Sequence, residues 1–215
     1  MLGLFSLREG ARLNIFATKA VRNVLAKSMG LERIFDTFCG ADWHEPGKEF
    51  VPLPTVGGTS KKRQASGGLE YRMIVLPGKA PPFARDMASG GIHSVAYQFL
   101  DRRTGGRLLV APDVSAVNEE LQDALESSDA VLFDGTFWSS DELKQVKAKA
   151  RTADQMGHLT IKDFSLDLLK KLPARRKVYI HINNTNPVLA KRSRERAAVE
   201  RAGIMIGHDG LEFEL

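Results

Sequence analysis

Cys39 is the single cysteine among 215 residues, so a disulfide-stapled scaffold is excluded. Long apolar runs are missing as well, and none approaches the roughly 20 residues needed to span a bilayer. Aromatics make up only 7% of the chain, and none alternates with the basic runs to offer bases a stacking platform. The 19 glycines and 9 prolines are too few and too scattered for a fibrous or wholly disordered chain. Near the start, Arg8, Glu9 and Arg12 interrupt the apolar residues Leu2, Leu4, Phe5 and Leu7 before the core of an export signal can form. Together these absences lead to the expectation of a cytoplasmic protein with no membrane span.

What is present is ordinary globular composition, 43% hydrophobic and 27% charged. The length suffices to bury a core without a structural metal and allows one domain or two small ones. Since the loop over 56–68 reads as a surface excursion and not a boundary, a single domain over residues 1–215 is expected. The formal net charge is +5, from 31 Lys and Arg against 26 Asp and Glu. The excess lies in patches such as Lys61-Lys62-Arg63, Lys144 to Arg151 and Lys191 to Arg196, with acidic residues mixed into most of the helical ones. That is the pattern of solvated helix faces, so no nucleic-acid partner is expected.

Periodicity and punctuation predict the elements. Residues 13–17 read as a short strand, and Thr18 caps a helix carrying Val21, Val24, Leu25 and Met29 that Gly30 stops. A flexible loop is expected over 56–68, then a strand over Leu69 to Leu76, closed by Pro77-Gly78 and Pro81-Pro82. Ser94 to Leu100 and Arg107 to Ala111 flank Thr104-Gly105-Gly106 as a hairpin. Asn118 caps a helix, and Ala130 to Phe133 is an all-apolar strand of the kind buried on both faces. Ser139 and Glu142 have capping-box spacing for a helix running to Ala150. A further helix over Phe164 to Leu172 presents Phe164, Leu168, Leu169 and Leu172 on its apolar face. Val178 to Ile182 is another buried strand, Ser193 caps a helix ended by Gly203, and Ile204 to Ile206 and Leu211 to Leu215 flank an Asp209-Gly210 turn. Alternating strands and helices predict an α/β layered fold.

Such folds place ligands at the carboxyl ends of their strands. Asp113 and Asp134 with Thr136 each stand at the end of a predicted strand, His181 is carried by the end of another, and His158 lies on the loop after the helix that follows Asp134. Two carboxylates and two imidazoles converging there form the ligand mix of zinc or non-haem iron. Each also has a plainer reading: Asp113 as a turn residue, Asp134-Gly135 as a turn pair, His181 as a hydrogen-bonded core residue. Asn183, Asn184 and Asn186 around Thr185 suit a loop that braces a site or recognises a polar ligand. His44, in Trp43-His44-Glu45-Pro46, reads as a surface turn, His93 as a loop residue, and His208 as part of the terminal turn. Cys39 reads as a buried thiol.

The block Ile180-His181-Ile182-Asn183-Asn184-Thr185-Asn186-Pro187 resembles the pyrroloquinoline quinone (PQQ) biosynthesis protein B family. So do Asp134-Gly135-Thr136-Phe137-Trp138, Met156-Gly157-His158-Leu159, Ser193 to Arg196, Asp209-Gly210 and Gly3 to Gly10, weakest over 56–92. The resemblance implies a metallo-β-lactamase-like αββα sandwich and iron-dependent hydroxylation of the tyrosine in a Glu–Tyr peptide precursor. Its alternatives are a carrier that moves PQQ or its precursor to the periplasm, and a metal-dependent hydrolase. Carried over residue by residue, His181 and Asp113 resemble metal ligands, and His158 and Asp134 occupy the catalytic positions. Thr136, Asn183, Asn184 and Asn186 would brace the site or touch substrate. Iron is the implied metal, with zinc as the other choice, and a small peptide-derived precursor is the partner. In the family an Asp/His cluster precedes the stretch matched by Gly3 to Gly10. The chain therefore reads as an N-terminally incomplete member, expected to bind metal weakly and to pair exposed apolar surface in a homo-oligomer.

Overall fold

Leu13–Phe16 forms the first strand, β1, and the Thr18 hydroxyl accepts the Val21 amide to open helix α1 (Lys19–Met29). Gly30 ends that helix at φ +61°, a left-handed conformation that costs a residue without Cβ little. A second helix, α2 (Leu31–Thr37), starts at once, and β2 (Ala41–His44) returns to pair with β1 in parallel. Trp43-His44 is therefore strand, not surface turn. His44 stacks on Phe16 with ring centroids 4.8 Å apart, and its Nε2 meets Asn14 Oδ1 at 2.9 Å. Four residues with two polar side chains carry too little alternation to announce a strand. This computed structural model describes residues 2–54, 68–80, 84 and 91–215. The loop expected over 56–68 lies outside them but for Gly68, and so does Pro81-Pro82.

Among the described residues seven strands form the main sheet, in chain order from edge to edge. They are β3 (Val51–Pro52), β4 (Leu69–Val75), β5 (Val95–Asp101), β6 (Arg107–Ala111), β7 (Ala130–Asp134), β8 (Arg176–Ile180) and β9 (Met205–Ile206). Pairing is antiparallel from β3 to β6, including the expected hairpin, and parallel from β6 to β9. Helix α3 (Glu119–Glu126), capped by Asn118, connects β6 to β7. Helices α4 (Glu142–Val146), α5 (Ala153–Met156) and α6 (Leu166–Lys171) connect β7 to β8. Helix α7 (Arg194–Arg201), capped by Ser193, leads to β9.

Alternation along the strands builds the layers. Leu109, Ala111, Val131 and Phe133 face Leu121, Ala124 and Leu125 of α3, Leu169 of α6 and Val199 of α7 in one core. On the opposite sheet face, the Tyr71 ring meets Phe16 edge-on at 5.0 Å, and the Tyr97 hydroxyl donates to Phe16 O at 3.3 Å. Leu13 and Ile15 of β1 point the other way, into a second cluster with Leu25, Leu31 and Phe35. The order is helix, sheet, sheet, helix: the expected αββα sandwich, with a second sheet of two strands among the described residues. No helix among them is long and apolar enough to cross a membrane.

Three local expectations are corrected. The helix expected from Ser139 to Ala150 shrinks to α4, and Ser139 does not cap it. The Glu142 carboxylate accepts the Trp138 amide and the Thr185 hydroxyl instead, and Lys147 turns extended. Residues 147–151 bring lysine, alanine and arginine only, with nothing large and apolar to hold further turns against the core. Before α6, Ile161–Ser165 forms a π-helical turn, and Phe164 is 42% exposed, outside the apolar face. Ile161, Ser165 and Leu169 point inward in its place, the Ser165 hydroxyl meeting the buried Tyr179 hydroxyl at 3.0 Å. At the end of the chain, residues 211–215 form no strand.

Candidate metal centre

Because β6, β7 and β8 are parallel neighbours, the residues that follow them emerge on one edge of the sheet. Asp134, the last residue of β7, is wholly buried and is the hub. Its Oδ2 accepts the Val114 amide at 3.0 Å and His158 Nδ1 at 2.8 Å. Its Oδ1 accepts the Thr136 amide at 3.0 Å and the Thr136 hydroxyl, with His181 Nδ1 at 3.5 Å. The exposed Asp113 carboxylate stands 3.6 Å from His158 Nδ1. The rings of His158 and His181 are 5.6 Å apart, and Phe137 packs edge-on against His158. Asp113, Asp134 and His181 from the strand ends and His158 from its loop thus meet at one place.

Proton counting sets the orientation of His181. Thr136 has one hydroxyl proton, which goes to Asp134, the closest acceptor. Its oxygen is then left to accept from His181 Nδ1, 2.9 Å away, so a neutral His181 ring carries its lone pair on Nε2. His158 is held likewise through Nδ1 on Asp134. Asp134, His158 and His181 place potential ligand atoms within 4.8 Å of one another. The Asp134 oxygens, however, are already filled by four donors. The groups with free donor capacity are the two Nε2 atoms and the exposed Asp113 carboxylate, a set that fits zinc or iron.

His181 is the one non-glycine residue with positive φ among those described, at 55°. That ends β8 abruptly and turns the Asn183 to Asn186 loop back over β7. Asn186 is buried: its Nδ2 donates to Gly135 O at 2.9 Å and Thr136 O at 3.3 Å, and its Oδ1 accepts the Val188 amide at 3.1 Å. The Asn183 backbone N–H donates to Thr136 O at 3.1 Å, whereas Asn184 is exposed to solvent. His44 and His208 stand outside the cluster, and Cys39 is half-buried against the N-terminal cluster. Sequence reasoning missed Glu142 as part of this neighbourhood. Its partner Thr185 lies 43 residues away, and no local signal links them.

Burial alone would raise the Asp134 pKa, but the hydrogen bonds from His158, His181, Thr136 and Val114 outweigh it and hold the group at about 2. The same carboxylate draws the His181 pKa upward against partial burial. Since the folded Asp134 value lies below the ordinary 3.8, its contribution to stability is present above that pH and lost as pH falls through about 2. Unfolding in denaturant at stepped pH should show roughly 2 kcal/mol lost over that acid window. Asp134→Asn, which cannot titrate, should remove that part of the slope, and an unchanged slope would contradict the assignment.

A layered αββα sheet with histidine and carboxylate donors at its parallel strand ends defines a β-lactamase-superfamily domain, and the profile of the Beta-lactamase superfamily domain matches residues 1–182. Coenzyme PQQ synthesis protein B of Cupriavidus necator is 37% identical over 217 residues, covering 99% of this chain and 68% of that protein. Its counterpart from Methylococcus capsulatus is 34% identical over 219 residues, covering 99% and 69%. The crystal structure of Zn(2+)-bound PqqB from Methylobacterium extorquens matches with a TM-score of 0.78 and 32% identity, over 100% of this chain and 69% of that one. The chain belongs to the coenzyme PQQ synthesis protein B family.

Proposed function

We propose that the chain serves PQQ biosynthesis as a metal-dependent hydroxylase of the tyrosine ring in a Glu–Tyr peptide precursor. The observation that supports this most is the Asp134 hub, which holds the His158 imidazole by Nδ1 directly and the His181 imidazole by Nδ1 through Thr136, and leaves both Nε2 atoms free on one edge of the sheet. His181 and Asp113 are the proposed metal ligands. His158 is the proposed proton carrier: a buried carboxylate at 2.8 Å fixes its orientation, so Nε2 can take a proton from a phenol and return it. Asp134 and Thr136 hold that geometry in place. Beside His181 lies a cavity of about 450 Å³ walled by Leu132, Val178, Ile180 and Phe213, room for an aromatic ring.

Hydroxylation places one oxygen atom of dioxygen into an aromatic C–H bond, and the other leaves as water with two electrons from an external reductant. A bound iron would supply the one-electron chemistry of dioxygen that side chains lack. The zinc in the Methylobacterium extorquens relative occupies a protein of the same family, and zinc would serve as an inert probe of the same donors.

The test uses the full chain loaded anaerobically with ferrous iron, then given a Glu–Tyr peptide, oxygen and a reductant. A peptide mass gain of one oxygen atom, lost in His158→Ala and His181→Ala, is the expected result. A carrier reading has one observation in its favour: one histidine and one exposed aspartate leave most metal positions to water. Stoichiometric binding of PQQ or the peptide without any mass gain would establish that reading and overturn hydroxylation by this chain.

A further inference from the structure

We propose that Glu142, acting through Thr185, is a positioning residue that sets where His181 stands in the metal centre; this rests on the metal-site reading above. Glu142 is only 5% exposed, an unusual place for a carboxylate, and both its oxygens are in use. Oε2 accepts the Trp138 amide at 2.7 Å, and Oε1 accepts the Thr185 hydroxyl at 2.5 Å. Thr185 Oγ1 in turn accepts Asn183 Nδ2 at 2.7 Å. With its one proton committed to Glu142, Thr185 makes the chain of bonds run in one direction, from Asn183 through Thr185 to the carboxylate.

This chain of bonds joins the two loops that carry the site. One loop follows β7 and holds Thr136, whose hydroxyl receives His181 Nδ1. The other follows β8 and begins with His181 itself, at φ 55°. A non-glycine residue keeps a left-handed backbone only when its surroundings over-determine it. Asn186 and the Asn183 amide fasten the second loop to Gly135 and Thr136, and the Glu142–Thr185 bond fastens it again at its far side. The 2.9 Å spacing between Thr136 and His181 is thus the product of a clamp whose outer arm is Glu142. A buried carboxylate is a costly way to hold two loops together unless its donors must be held in one place.

The test compares Thr185→Val, which keeps shape and removes the hydroxyl, Glu142→Gln, and Thr185→Ser as the conservative rescue. Zinc affinity of the full chain should fall roughly 10–100-fold in the first two and return close to wild type in Thr185→Ser. A second readout needs no metal. Nitrogen-15 NMR of the metal-free imidazole should show His181 as the Nδ1–H tautomer in wild type and Thr185→Ser, and as a mixture in Thr185→Val and Glu142→Gln. Lower unfolding temperatures in those two variants with zinc affinity and tautomer unchanged would make the clamp a purely structural brace and overturn the proposal. Should wild type bind no zinc at all, the metal-site reading fails, and the tautomer alone still decides the role of the clamp.

Discussion

Replacing Asp134 with alanine is expected to cost about 3–5 kcal/mol of stability, enough to leave much of the chain unfolded at moderate temperature. The magnitude follows from what the carboxylate holds. Its two oxygens accept the Val114 amide, the Thr136 amide and hydroxyl, and His158 Nδ1, all at a position with no solvent exposure. Each buried donor stripped of its acceptor costs about 1–3 kcal/mol, and water entering the vacated space would recover part of that sum. Asp113 is the internal control. Its side chain is 53% exposed, so Asp113→Ala should change stability by no more than about 0.5 kcal/mol while weakening metal binding. Unfolding in guanidinium chloride separates the two variants. A loss below 1 kcal/mol in Asp134→Ala would show that the hub does not hold the strand ends together.

The contrast between these two aspartates was invisible in the sequence, where both follow an apolar strand and precede a turn. What was legible is the placement of strand ends. Three apolar runs separated by helices have to lie parallel in one sheet, and parallel strands bring Asp113, Asp134 and His181 to one edge whatever their side chains do afterwards. Helix caps were legible for the same local reason: Thr18, Asn118 and Ser193 each accept an amide three residues ahead. Contacts of long sequence separation were not. Glu142 has the spacing of a capping box with Ser139, yet a hydroxyl 43 residues away satisfies it better. Asn184 and Asn186 look alike in a polar loop, but the turn at His181 buries Asn186 over β7 and leaves Asn184 in water. Nothing in the identity of a histidine announces a positive φ.

That positive φ underlies the largest separation of stability from binding expected in this chain. His181→Gly should keep stability within about 1 kcal/mol of wild type, because glycine adopts the left-handed backbone without strain and the gain offsets the lost Thr136 contact. His181→Ala keeps the strained backbone and loses the same contact, so it should be less stable than His181→Gly by about 1 kcal/mol. Both variants lose the Nε2 donor, and zinc or iron affinity should fall at least 100-fold in each, about 2.7 kcal/mol of binding. The side chain is 51% exposed, so deleting it opens no cavity in the core. Denaturant unfolding of the metal-free variants, paired with zinc titration, gives both quantities from one preparation. If His181→Gly proved as unstable as Asp134→Ala, the imidazole would be a hydrogen-bonded core residue and its twisted backbone a feature of folding. If instead the glycine variant folds as well as wild type and binds no metal, the strain at residue 181 is held in the fold for the sake of where that nitrogen points.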